Sequence, residues 1–168
     1  LSRSDLILLA ARPGMRKTSF ALNIMRNAGV QGKKKIAFFS LEMTKEQLVS
    51  RLLSTEGMIP GIKLRTGKLD DNEWVRLIEA GDILSQTQMY FDDSSGITVP
   101  EIKAKLRRLK DVDLVIIDYL QLMSGTRRTD NRVQEISEIT RNLKIMAKEL
   151  NVPVLTLSQL SRATEKRG

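Results

Sequence analysis

Cysteine and histidine are both missing from these 168 residues. Their absence excludes disulfides, thiolate zinc sites and any histidine general base. Chemistry here has to come from carboxylates, lysine, arginine, hydroxyls, amides and a hard metal ion. Aromatic residues are scarce at 4%, and the single tryptophan, Trp74, reads as a core or packing residue. The seven methionines read as core fillers. No apolar run nears the roughly 20 residues that span a bilayer, and no cationic-then-apolar leader opens the chain. The expectation is a cytoplasmic protein with no membrane partner.

Positive charge, by contrast, is plentiful: 28 lysines and arginines face 20 acids, for a net charge of +8. Such a surplus suits a polyanion, nucleic acid above all, but it also simply keeps proteins soluble, and charge alone leaves the two readings even. The 41% hydrophobic and 29% charged fractions are those of a globular protein. The length suits one domain with a real core. The chain starts at Leu1 and stops at Gly168 without a closing element. We therefore expect one domain, 1–168, excerpted from a longer polypeptide.

Five short aliphatic or β-branched runs, 6–10, 35–40, 89–92, 114–118 and 152–158, read as buried parallel strands. Between them lie helical patterns at 17–28, 45–56, 71–84, 101–109 and 133–150. Thr44 with Gln47, Asp70 with Glu73 and Thr98 with Glu101 have the spacing of capping boxes. Alternating strand and helix predicts an α/β domain, a mainly parallel sheet flanked by helices on both faces.

The first strand runs into Ala11-Arg12-Pro13-Gly14-Met15-Arg16-Lys17-Thr18-Ser19. Strand, tight loop, Lys-Thr and helix is the layout of a phosphate-binding P-loop. Backbone N–H groups and a helix N-terminus face the anion, lysine neutralises the terminal phosphates, and the threonine hydroxyl binds magnesium. The full pattern has glycine where Ala11 and Arg16 stand, and only Gly14 remains. Arginine in the tightest part of the loop predicts weakened nucleotide binding or slowed hydrolysis, unless its guanidinium turns outward or adds a phosphate contact.

Ligands in open parallel sheets lie beyond the carboxyl ends of the strands. Asp118 ends the apolar run 114–117, the form of a Walker B strand whose carboxylate holds magnesium. Glu42, after the second strand, is placed for a general base, or equally for an acid stabilised by the dipole of the following helix. Gln159, after the fifth, is placed to sense a γ-phosphate or to make a strand-end hydrogen bond. The polar segment 124–132 carries Arg127, Arg128 and Arg132, suited to gripping nucleic-acid phosphates or to a solvated loop. The basic helix with Lys103, Lys105, Arg107, Arg108 and Lys110 reads as a solvated outer face.

Together these strings resemble one family. Ala-Ala-Arg-Pro-Gly-Met at 10–15, Phe-Ser-Leu-Glu-Met at 39–43, Leu-Arg-Thr-Gly-Lys-Leu at 64–69, Ile-Asp-Tyr-Leu-Gln-Leu at 117–122 and Leu-Ser-Gln-Leu-Ser-Arg at 157–162 resemble the RecA-like C-terminal motor domain of DnaB-type replicative helicases. The resemblance runs nearly end to end. Ala11 is ordinary for that family; Arg16 is not, since the family has glycine there. It implies a RecA-like P-loop NTPase core in a homo-hexamer that hydrolyses ATP and moves 5′ to 3′ on single-stranded DNA, with primase and a helicase loader as partners. It also implies roles: Lys17 and Thr18 on phosphate and Mg2+, Asp118 on the metal, Glu42 as catalytic base and Gln159 as γ-phosphate sensor. The arginine finger and further DNA loops of the family lie beyond Arg167, and its N-terminal domain is likewise outside the chain. The alternative kept alongside is a hydrolysis-impaired nucleotide- or DNA-binding regulatory module on the same fold, which Arg16 favours.

Overall fold

The computed structural model describes residues 3–11, 17–118, 120–123, 125 and 131–159. Among these described residues five strands, β1 (Leu6–Ala11), β2 (Lys35–Ser40), β3 (Gln88–Asp92), β4 (Leu114–Asp118) and β5 (Val154–Gln159), form one sheet in the order β1-β5-β4-β2-β3. Every pairing is parallel. Parallel strands need crossovers, and among the described residues six α-helices supply or accompany them: α1 (Lys17–Arg26), α2 (Lys45–Gly57), α3 (Gly61–Thr66), α4 (Asp71–Ser85), α5 (Val99–Leu109) and α6 (Arg132–Leu150).

Side chains alternate across a strand, and here both faces are apolar. Ile36 and Phe38 of β2 join Ile116 of β4 and Leu155 of β5 in a cluster with Met25 of α1 and Leu48 of α2. Their neighbours Ala37, Phe39, Val115 and Ile117 face the other way, onto Ile102 of α5 and Ile139 and Leu143 of α6. Two apolar layers enclose β4 and β2; β4 ends in Asp118, and β2 runs into the turn that bears Glu42.

Sequence and structure agree closely on the caps. Thr44 Oγ1 accepts from Gln47 N–H and Gln47 Oε1 from Thr44 N–H, and Asp70 and Glu73 do the same for α4. At α5 the box is not completed: the Thr98 hydroxyl accepts from Glu101 N–H but gives its own proton to Glu101 Oε1, 3.0 Å away. Boundaries move where the backbone finds other partners. α1 stops at Arg26 and widens into a π-turn, Asn27–Gln31, where Gly29 lies against Met89; a Cβ there would meet Met89 Sδ at 2.8 Å. β5 begins at Val154 rather than 152, because Val152 N–H closes the end of α6 on Ala147 O and Pro153 has no N–H to give. The short helix α3 and the 3-10 turn Leu120–Leu122 have no counterpart in the sequence reading.

Three expectations about surfaces need correcting. Trp74 is 46% exposed, with Val75 and Ile78 beside it on α4 also exposed, so it is not a core residue. Met58, in the left-handed region with φ 52° after α2, is 76% exposed, whereas Met25, Met123 and Met146 do fill the core. The basic helix α5 is not simply solvated: Lys103 pairs with Glu149 of α6, and Lys105 with Asp92 at the end of β3.

Candidate nucleotide site

The register of the sheet decides which residues meet at its carboxyl edge. Ser40 and Asp118 are Cα partners across β2 and β4, and Leu41 N–H donates to Asp118 O at 2.8 Å. Ala11 and Gln159 are partners across β1 and β5, so Gln159 ends its strand at the same edge by backbone position. Helix α1 opens at Lys17 beside the end of β1.

Asp118 is fully buried, and Thr18 is buried with 8% exposure. Thr18 Oγ1 donates to Asp118 Oδ2 at 2.8 Å, and Lys17 Nζ lies 3.3 Å from Asp118 Oδ1. The same ammonium stands 3.6 Å from Glu42 Oε2, whose side chain is about half exposed. A buried carboxylate costs several kcal/mol unless cations or donors replace its water. Lysine and threonine at the start of α1 do so here. Three separated sequence segments therefore meet within one ion-pair length.

A small device presents Glu42. Ser40 Oγ donates to Met43 O at 2.7 Å and accepts from Met43 N–H at 3.2 Å, folding 40–43 into a tight hydroxyl-capped turn. Ser40 is buried, and its turn aims Glu42 back over the sheet edge toward Lys17. The sequence signal was modest: a serine at a strand end three residues before an amide it can bond.

The donor set bears on a cation as well. Among the described residues no group of three or more acids could hold a metal alone. Magnesium does not need one: it keeps several waters and uses one or two carboxylates with substrate phosphates. Asp118 Oδ1 is buried and receives no hydrogen bond among the described residues. With the Thr18 hydroxyl it makes a hard-oxygen pair that fits Mg2+.

Other site expectations divide. Arg12, Pro13, Gly14, Met15 and Arg16 of the loop, and Arg127 and Arg128, lie outside the described residues, as do the side chains of Ala11 and Gln159. Ser19 is on α1, partly buried. Arg132 is the first residue of α6, and its guanidinium faces the carbonyls of Gln121 and Met123 and the carboxylate of Glu135. No helix among the described residues is long and apolar enough to cross a membrane.

The chain is 52% identical to the replicative DNA helicase DnaC of Bacillus subtilis, over 98% of this chain and 37% of the relative. It is 51% identical to the replicative DNA helicase DnaB of Geobacillus stearothermophilus with the same coverage, so it spans just over a third of the length of these curated relatives. Among solved structures, an isolated ATPase domain superposes with a TM-score of 0.93 at 37% identity, over 99% of this chain and 61% of that one. A DnaB-like replicative helicase, described with its interactions with primase, gives 0.91 at 37% identity, over 99% of this chain and 41% of that one. The fold is thus that of a RecA-like ATPase domain, and a nucleotide is what such a domain uses. The model of the DnaB-like helicase C-terminal domain matches residues 1–168 throughout, and the chain belongs to that family.

Proposed function

We propose that this domain hydrolyses Mg-ATP and, within a full-length helicase, couples that hydrolysis to 5′ to 3′ movement on single-stranded DNA and to duplex unwinding. The observation that carries the reading is the meeting of Lys17, Thr18, Glu42 and Asp118 at one edge of the sheet. In this reading the Lys17 ammonium holds the charge of the terminal phosphates. Thr18 Oγ1 and Asp118 would hold magnesium, which when bound supplies positive charge against the phosphates. Glu42, with one flank open to solvent, orients or deprotonates the attacking water. Gln159 would answer the γ-phosphate from the end of β5.

The partners follow the same family logic. Single-stranded DNA suits the +8 charge. A homo-hexamer suits the exposed apolar residues Trp74, Val75 and Ile78 of α4, which a second copy of the domain would cover. Primase, which a structural neighbour is described as engaging, and a helicase loader belong to this proposal, as does a cytoplasmic setting.

Glu42→Gln tests the reading. It is expected to cut kcat about 10²–10⁴-fold while calorimetry finds Mg-ATP affinity nearly unchanged. Equal loss of both, or of neither, overturns the assignment of Glu42. The regulatory alternative rests on Arg16; Arg16→Gly then raises turnover from near zero, and a wild-type chain with ordinary DNA-stimulated turnover removes it.

A further inference from the structure

The turn that follows Asp118 is gripped from two sides. Gln121 Nε2 donates to Ser158 Oγ at 2.8 Å, tying the turn Leu120–Leu122 to β5 one residue before Gln159. From the other side, the Arg132 guanidinium donates to the carbonyl of Gln121, and its nitrogens lie 3.4 and 3.5 Å from the carbonyl of Met123. Arg132 Nη1 is also 2.9 Å from Glu135 Oε2, one turn along α6. Glu135 Oε1 in turn accepts from Gly125 N–H at 2.9 Å. A Cβ on Gly125 would stand 2.9 Å from Glu135 Cγ, so the backbone approaches this side chain as closely as glycine allows.

We propose that Arg132 and Glu135 form a clasp that fixes the turn after Asp118 and Gly125, making Arg132 a positioning residue rather than a contact for nucleic-acid phosphate. The proposal rests on the ATP-motor reading for its functional meaning, but not for its geometry. A guanidinium has five donors in a rigid fork, and here the fork faces two carbonyls and a carboxylate inside its own domain. Its charge is compensated by Glu135, whose carboxyl is held below the ordinary range by the Arg132 guanidinium first and the Gly125 N–H second. A residue meant for phosphate would keep its charge and its fork free. What the clasp holds is also informative: the turn carries Asp118 on one side, while through Gln121 and Ser158 it bears on the strand that ends in Gln159. Gly125 N–H is held by Glu135 Oε1, and Asn131 caps α6, its Oδ1 accepting from Val133 N–H.

The experiment uses the full-length polypeptide carrying this domain, with Glu135→Ala, Arg132→Gln and the double variant. Amide exchange, which needs no DNA, reads the clasp itself. Both single variants are expected to speed exchange of the Gly125 amide by about tenfold, the worth of one net hydrogen bond, while α2 and α4 stay unchanged. DNA-stimulated turnover falls by a similar factor in both single variants and no further in the double, because each removes the same unit. The salt dependence of single-stranded DNA binding keeps its slope in all three. Should Glu135→Ala destabilise α6, Glu135→Gln, which keeps an acceptor for Gly125 while weakening the Arg132 contact, is expected to give an intermediate exchange rate.

A salt slope lowered by about 1 in Arg132→Gln, with Glu135→Ala binding DNA as well as or better than wild type, identifies Arg132 as a phosphate ligand and overturns the proposal. Unchanged Gly125 exchange in Glu135→Ala overturns it as well. A wild-type protein whose ATPase ignores DNA counts against the motor reading alone, and the exchange rates still decide the clasp.

Discussion

The carboxyl edge of the sheet and the α3–α4 flank depart from the inside–outside rule in opposite directions. At the edge, Asp118 is fully buried and Lys17 nearly so, where apolar side chains would be cheaper. On the flank, Ile62, Trp74, Val75 and Ile78 face solvent, where polar side chains would be cheaper. Buried charge is tolerated when cation, hydroxyl and carboxylate compensate one another, and such an arrangement is specific in position. Exposed apolar area needs no geometry at all; it needs only something to cover it. The first kind of departure therefore names a chemistry, and the second names at most a surface.

The contrast can be broken most forcefully at the edge. Lys17→Met should remove turnover and, by leaving Asp118 buried with less compensation, lower stability by about 3–5 kcal/mol in denaturant titration; unchanged stability would mean that the ion pair is incidental. Leu143→Ala, in the dry layer under β4, should cost about 2–5 kcal/mol with nucleotide affinity retained in whatever fraction stays folded. Asp70→Ala removes the cap of α4 and should cost about 1 kcal/mol, a local loss visible as faster amide exchange in the first turn.

At the small end, Ile78→Ser should change the stability of a single domain by less than about 0.5 kcal/mol while weakening self-association in light scattering. A larger loss of domain stability would show that the flank is core after all.

Acid adds a further comparison within the flank itself. The Glu73 carboxyl is held below the usual range by Lys63 first, then by Asp70 N–H. Its contribution is complete above the ordinary carboxylate pKa of about 4.5 and is lost as pH falls through the lower folded value. Thermal scans below pH 4.5 should therefore lose the wild-type advantage over Glu73→Gln, whereas at pH 7 the wild type should melt higher.

Much of this molecule is legible in its sequence, for identifiable reasons. β2 and β4 were read to the residue, since strands buried on both faces are continuous apolar runs bounded by charged or polar residues. Thr44 and Asp70 announced α2 and α4 because side-chain capping is a local event. α3 was invisible: six residues, Gly61–Thr66, have no buried member and no periodic face, and Lys63 is held by Glu73 ten residues on. The π-turn escaped for a related reason, as Gly29 against Met89 is a contact between distant segments. At the site, the motifs picked out Lys17, Thr18, Glu42 and Asp118, and these four side chains lie together in the fold. Glu135 was not, because its partner Gly125 lies ten residues upstream on a turn, and no periodicity reports a carboxylate bonded to one amide.

The pairing of Ser40 with Asp118 carries a last implication. Because neighbouring residues of a strand point to opposite faces, sliding β4 by a single position against β2 would turn Asp118 away from Thr18. Sliding it by two would carry the carboxylate about 7 Å along the strand, beyond the reach of Lys17. Phe38, Phe39, Ile116 and Ile117, all core residues, thus act as the ruler by which this edge is measured.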